Sequence, residues 1–509
     1  MTARTTCGLE TESEIPEKMN VPIARARTQA KWSLILTVTF ALARSFGQPQ
    51  FNIIYNFTGG TDGAEPVGGL IQSVDGNLYG ACAAGGDVTN FGNYFNGTVF
   101  RVSTGGSLHT LFEFAPVQTS FDPPNSTGAD PIAGVVRGRD GAFYGTTYNA
   151  GFSSDPAGVA FRVDSAGNYS VLHSFGSRSN PSEGTAPEAR LLQGIDGYLY
   201  GETQSGGTND VGTIFKISPL GDGVYYSVFH QFNGITDGNE PGGGLTQGPD
   251  GFMWGMTFNM PEIFKIDTQG NFHVVHPFIN TASDGQLAGS ATDNSLVWYQ
   301  GYAYGAAPEG GTNNSGTVFR IDTNGNFSVI YTFTATDGNG FNADGASPNG
   351  VIVGSDGNLY GTAQNGGTNG EGTIFMVTTN GGFTNLYTFN GVTDGGQPQC
   401  GLREASDGNL YGLVESGGSQ GGGIVYQITG LLLPPPAPIL VAVGKSGHTF
   451  TLNLFGTTNN NYQVQATTNL AAGPSGWVNL TNFVPPTSPF AVLDPAATNS
   501  SRFYRAVTP

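Results

Sequence analysis

Residues 355–377 read SDGNLYGTAQNGGTNGEGTIFMV. Asp356-Gly357 divides two short apolar runs, and glycine admits the positive φ of a tight turn, so the stretch predicts strand, hairpin turn and strand. A glycine-rich loop at 365–371 then leads to a third strand ending at Val377. The same tag recurs as DGNLYG at Asp75, DGAFYG at Asp140, DGYLYG at Asp196, DGFMWG at Asp250, QGYAYG at Gln300 and DGNLYG at Asp407. Successive tags are 65, 56, 54, 50, 56 and 51 residues apart. About 50 residues is a four-stranded propeller blade, longer than a leucine-rich or ankyrin unit.

Each unit resolves into strands a to d, which in the first unit are residues 69–72, 78–80, 97–102 and 108–114. Strand d places an aromatic or histidine two residues before a Phe: Tyr55/Phe57, Phe112/Phe114, His173/Phe175, His230/Phe232, His276/Phe278, Tyr331/Phe333 and Tyr387/Phe389. The first of these seven precedes every strand a, while the last unit runs a, b, c and enters Leu431-Leu432-Leu433-Pro434-Pro435-Pro436 without a strand d. Residues 51–57 are therefore expected to complete the last blade and hide two sheet edges. The expectation is an all-β, seven-bladed propeller closed by an N-terminal strand, with six or eight blades left open. Blade five is degenerate, since 290–300 carries an insertion and no Asp-Gly turn.

Composition agrees. Eighty glycines, 11% charged and 11% aromatic residues fit strands and turns rather than long surface helices or disorder. The net charge of −19 argues against nucleic acid, which needs cations to displace counterions. Three cysteines without a CxxC pair fit neither a disulfide scaffold nor a zinc ribbon. Cys82 and Cys400 fall in blades that become neighbours on closure; a disulfide and two free buried thiols both stay open, the thiols favoured.

Residues 1–47 read as an export signal: a basic segment at 25–31, an apolar run at 32–43 too short to span a membrane, then small residues. Cleavage is expected between Ala43 and Gln48, with Met19 an alternative start. The propeller is assigned to 48–430, a stiff proline linker to 431–438, and a small β-sandwich of immunoglobulin or fibronectin type III kind to 439–509. No membrane span is expected after signal removal, and the exported protein is expected to be secreted or surface-bound and monomeric.

The combination of DGNLYG with GGTNxxGTVF resembles the repeat of the Gloeo/Verruco (GloVer) tandem-repeat proteins of bacteria, over roughly 56–428. The resemblance implies an exported, surface-associated protein with repeats and a C-terminal attachment module; it brings no catalytic residues. Kelch repeats are a weaker match, because the Trp expected after strand c is missing.

No HExxH motif occurs and no GxSxG nucleophile elbow opens a helix, and the strand d histidines occupy a periodic slot read as packing. The recurrent loop acids Asp62, Asp237 and Asp394 suit calcium, which takes six to eight oxygens, and equally suit turn capping; both readings stay open, the capping one favoured. No other cofactor is expected. Strand order puts the long b–c and d–a connections on one face, where Phe91, Tyr94, Phe95, Phe121 and Tyr148 are candidates for stacking on sugar rings. Two functions follow: a noncatalytic scaffold binding a glycan, peptide or cell-envelope partner, which is favoured, and a secreted polysaccharide-active hydrolase or lyase.

Overall fold

The computed structural model describes residues 48–86, 96–115, 127–149, 157–176, 182–220, 225–260, 262–278, 284, 295–431, 439–446, 449–455, 462–468, 477–483, 490–494 and 503–507. Regular structure among them is entirely β, so no helix is long and apolar enough to cross a membrane. Seven antiparallel sheets succeed one another along the chain, six of four strands and one, blade four, with a fifth short strand. In blade one the strands are Ala64–Gln72, Leu78–Ala84, Thr98–Val102 and Leu108–Glu113.

The ring closes as the strand count requires. Gln50–Asn56 lies antiparallel to Ile424–Thr429 as the outer strand of blade seven, with Phe51 opposite Ile428. Phe51 also stacks on Tyr387 of blade six, with ring centroids 4.1 Å apart. The propeller therefore has seven blades, not six or eight.

The repeated tag is a local hydrogen-bonded unit. Ser73 N–H donates to Asn77 O and Gly76 N–H to Ser73 O, and only the glycine of Asp75-Gly76 has positive φ, 82°. That is a type I turn followed by a glycine bulge. Asp75 caps it by accepting Asn77 N–H at 3.1 Å and the Tyr79 hydroxyl at 2.6 Å. The same four-residue reach joins Tyr144 to Asp140, Tyr200 to Asp196, Trp254 to Asp250, Tyr360 to Asp356 and Tyr411 to Asp407. The glycine after each tyrosine makes room for the strand c ring: a methyl group on Gly80 would stand 2.8 Å from Phe100 Cζ. Blade five replaces this turn by a two-residue hairpin in which Gln300 and Gly301 both have positive φ and Tyr299 faces Tyr302.

The core lies between blades rather than within them. Tyr79, Val99 and Leu111 of blade one pack with Val135, Phe143 and Phe161 of blade two. Each fully buried ring stabilises the fold by about 1.5–3 kcal/mol, and Phe161→Ala would cost about 3–5 kcal/mol.

The C-terminal segment forms two three-stranded antiparallel sheets. One orders Ile439–Ser446, Thr449–Phe455 and Phe490–Asp494; the other orders Val478–Phe483, Tyr462–Thr467 and Phe503–Val507. Leu452, Val464 and Val492 form its buried core. The alternation in sequence predicts four short strands here, at 449–454, 462–466, 477–480 and 503–507, and the structure adds Ile439–Ser446 and Phe490–Asp494.

Candidate functional site

The blade order a-b-c-d puts the a–b and c–d turns on one face and the b–c and d–a connections on the other. Turns of the first set are short, as where Ser103 N–H meets Ser107 O at 2.9 Å. Connections of the second set are long, especially from strand d of blade one, ending at Glu113, to strand a of blade two, starting at Val135. Of the five candidate aromatics, Phe91, Tyr94, Phe95 and Phe121 lie outside the described residues. Tyr148 is half-buried just after strand b of blade two, its N–H donating to Asp130 O at 2.9 Å.

The three candidate metal-binding aspartates sit in separate d–a loops and are engaged by the protein itself. Asp62 accepts the Tyr55 hydroxyl at 3.0 Å and Thr58 N–H at 2.8 Å. Asp394 accepts the Tyr387 hydroxyl at 2.5 Å and Asn390 N–H at 3.0 Å. Asp237 takes Asn233 N–H at 2.8 Å and lies 3.2 Å from His230 Nε2. Asp344 repeats the pattern with Tyr331 and Thr334 N–H. Each carboxylate thus closes its own turn and ties it to the strand d ring. Among the described residues no three His, Cys, Asp or Glu side chains form a metal-sized group.

The strand d histidines take the tyrosine role. His173 pairs with Glu183 at 3.1 Å and stacks on Tyr226 of the next blade at 3.7 Å. His230 stacks on Phe272 and His276 on Phe327, each at 4.1 Å. Burial lowers all three pKa values, opposed by the charge of the loop acids. These rings belong to a belt that also holds Phe112 on Tyr169 and Tyr331 on Phe383. The packing reading of the histidines is the observed one.

Among the described residues burial raises the pKa of Glu65, Glu404 and Glu415, and that of three further carboxyls more strongly. Asp130 is pushed up to about 6, by burial first and then by Glu65, Glu188 and Glu415, while Asn149 opposes at 3.1 Å. Burial, with a smaller effect of Asp237, lifts Glu262 to about 7. Glu202, wholly buried on strand b of blade three, reaches about 8 through burial, offset in part by Gly244 N–H at 3.0 Å. Its Oε1 has no hydrogen-bond partner among the described residues. The sequence reading missed Glu202, although the other units hold Ala81, Thr146, Met256, Ala306, Thr362 and Leu413 at that position. Aligning the repeats exposes it at once. Cys82 and Cys400 are both buried, and neither forms a disulfide among the described residues.

A family model described as the Gloeobacter/Verrucomicrobia repeat matches residues 88–291 and 295–469. No curated protein matches the sequence. Among solved structures, a streptogramin B lyase is similar at 14% identity, covering 76% of this chain and 99% of its own with a TM-score of 0.47. A catalytically inactive virginiamycin B lyase from Staphylococcus aureus with quinupristin also has 14% identity, with coverage of 75% and 99% and a TM-score of 0.48. A puromycin hydrolase shares 10% identity over 78% of this chain and 60% of its own, at a TM-score of 0.43. At such identities the likeness does not extend to chemistry.

Proposed function

The chain belongs to the Gloeobacter/Verrucomicrobia repeat family, and from that premise we propose that it is an extracytoplasmic, noncatalytic binding scaffold. Its b–c/d–a face holds a glycan, peptide or cell-envelope partner. The observation that carries this reading is the asymmetry of the connections: closed turns on one face, long polar ones on the other. Function on a rigid scaffold sits in such connections. The recurrent acids support binding over hydrolysis, because Asp62, Asp237 and Asp394 are engaged in holding their own loops. Residues 1–47 serve as the export signal. The two C-terminal sheets form an immunoglobulin- or fibronectin-like sandwich that acts as spacer or attachment module.

The test is a combined glycan-binding and glycan-cleavage screen on the full chain, followed by footprinting of any ligand found. Protection beside Tyr148 and the d–a loops is expected. Protection of the turns at Asp75, Asp196 and Asp356 instead would put the site on the opposite face, and turnover of a polysaccharide would replace the scaffold reading by the hydrolase or lyase one.

A further inference from the structure

We propose that the central channel contains an oxyanion-binding site built on Arg190 and Arg403. The site rests on the geometry of the ring and is independent of the loop-face reading above.

The innermost strands of six blades enclose a cavity of about 230 Å³, lined by residues that include Leu70, Arg190, Thr246, Leu296, Ile352 and Arg403. That is room for roughly seven waters, or for a phosphate or small dicarboxylate. The repeat makes the two cations conspicuous. Where blade seven has Arg403, the other blades have Ile71, Val136, Leu192, Thr246, Val297 and Ile352. Where blade three has Arg190, they have Gly69, Gly134, Gly244, Ser295, Gly350 and Gly401. Two basic side chains have replaced small or apolar ones, in separate blades, and ring closure brings both to one cavity.

The electrostatic situation of Arg403 is unfavourable without a ligand. Among the described residues no Asp or Glu lines the cavity. Arg190 is fixed to the wall by Nη2 donating to Gly68 O at 2.9 Å. No hydrogen bond or ion pair to the Arg403 guanidinium is found among the described residues. Solvent reaches Arg403 through the channel, yet the surrounding walls lower its pKa, and the Arg190 charge lowers it further. Glu404 opposes that effect, but its carboxylate is held at Ser355 by the N–H at 2.7 Å and the hydroxyl at 2.5 Å. Two like charges in a confined site cost free energy that a bound anion offsets. Guanidinium forks match the paired oxygens of carboxylate and phosphate. In a chain of net charge −19 this is a local reversal of sign, so an anion is bound here by specific geometry rather than by a general field.

Thermal melts of the full chain, titrated with inorganic phosphate and separately with succinate at constant ionic strength, test the site. Tm is expected to rise with the logarithm of ligand concentration for at least one of the two, which also separates the phosphate from the carboxylate source. Arg403→Gln should weaken the apparent affinity at least about tenfold, the loss of one charge-assisted pair. Arg403→Lys, keeping the charge without the fork, should fall between. Arg139→Gln, outside the cavity, should respond as wild type. Calorimetry on the wild-type chain, expected to give a stoichiometry near one, provides a readout that needs no variant to fold. No Tm response up to about 10 mM of either anion, where a 0.1 mM site would be saturated, would remove the proposal. So would an undiminished response in Arg403→Gln, or a stoichiometry well above one.

Discussion

Gly316 of blade five and Pro348 of blade six are fitted to each other: a methyl group on Gly316 would stand 2.3 Å from Pro348 Cδ. Just before that proline, Ser347 has a φ of 53° and donates its N–H to Ser315 O at 3.0 Å. The same contact joins Gly97 to Pro131, Gly158 to Pro187, Gly212 to Pro241, Gly372 to Pro398 and Gly423 to Pro66. The glycine before strand c and a proline at or just before the start of the next blade therefore form a latch at six of the seven blade junctions. At the junction of blades four and five both halves are lost together in sequence: Pro261 stands where the glycine should, and no proline precedes Leu296 within residues 279–295.

Gly316→Ala is accordingly expected to destabilise by about 2–5 kcal/mol, combining a left-handed φ of 95° with overpacking against the proline. Gly251→Ala is the control, since Gly251 has a φ of 87° but open space around it. Its cost should stay near 1–2 kcal/mol. Equal melting-temperature losses for the two would show that the latch contributes nothing beyond backbone strain.

Deleting residues 50–56 should lower Tm sharply and promote aggregation, because it uncovers the edge of Ile424–Thr429 and removes the Phe51 ring from Tyr387 and Tyr426. Size-exclusion chromatography and melting of the truncation check this. A monomer with wild-type Tm would mean the ring closes without the strand.

Metal removal should leave the propeller intact. In the Asp394 loop the Tyr387 hydroxyl and the Asn390 N–H already supply the donors that neutralise the carboxylate. EDTA is expected to leave Tm unchanged, while Asp394→Ala costs about 1–3 kcal/mol by leaving the tyrosine hydroxyl and the amide unpaired. A fall in Tm with EDTA that calcium reverses would restore the calcium reading.

What was legible in the sequence was what lies within one hairpin or can be counted. Asp75 and Tyr79 are four residues apart, so their pairing imprints a motif that reads as a unit. The misplaced Tyr55/Phe57 pair revealed closure because an incomplete blade must borrow a strand. Relations that depend on the ring were hidden. Nothing local in Gly97 points to Pro131, and nothing in Arg190 or Arg403 says that they share a cavity. Blade five lost its Asp-Gly tag yet kept its hairpin, because Gln300 takes the left-handed conformation beside Gly301. The strand Ile439–Ser446 escaped notice because it follows directly on the proline run.

Glu202 should make stability fall as pH rises. Its folded pKa of about 8 lies above the ordinary value of 4.5, so the neutral acid is the form the interior accepts. The stabilisation associated with it is complete below about pH 4.5 and is lost as pH rises through about 8. Denaturant melts between pH 5 and 9 should show a loss on the order of a few kcal/mol. Glu202→Gln keeps an oxygen for Gly244 N–H and removes the ionisation, so its profile should be flatter. The slope should not vanish, because Asp130 and Glu262, raised to about 6 and about 7, titrate with the same sign. His173, His230 and His276 act on the other side: with folded values below 6.5, they remove stability as pH falls from about 6.5 through their folded values. Wild type and Glu202→Gln with parallel profiles above pH 6 would mean that Glu202 is ionised in the folded ring, and that its environment is wetter than its burial implies.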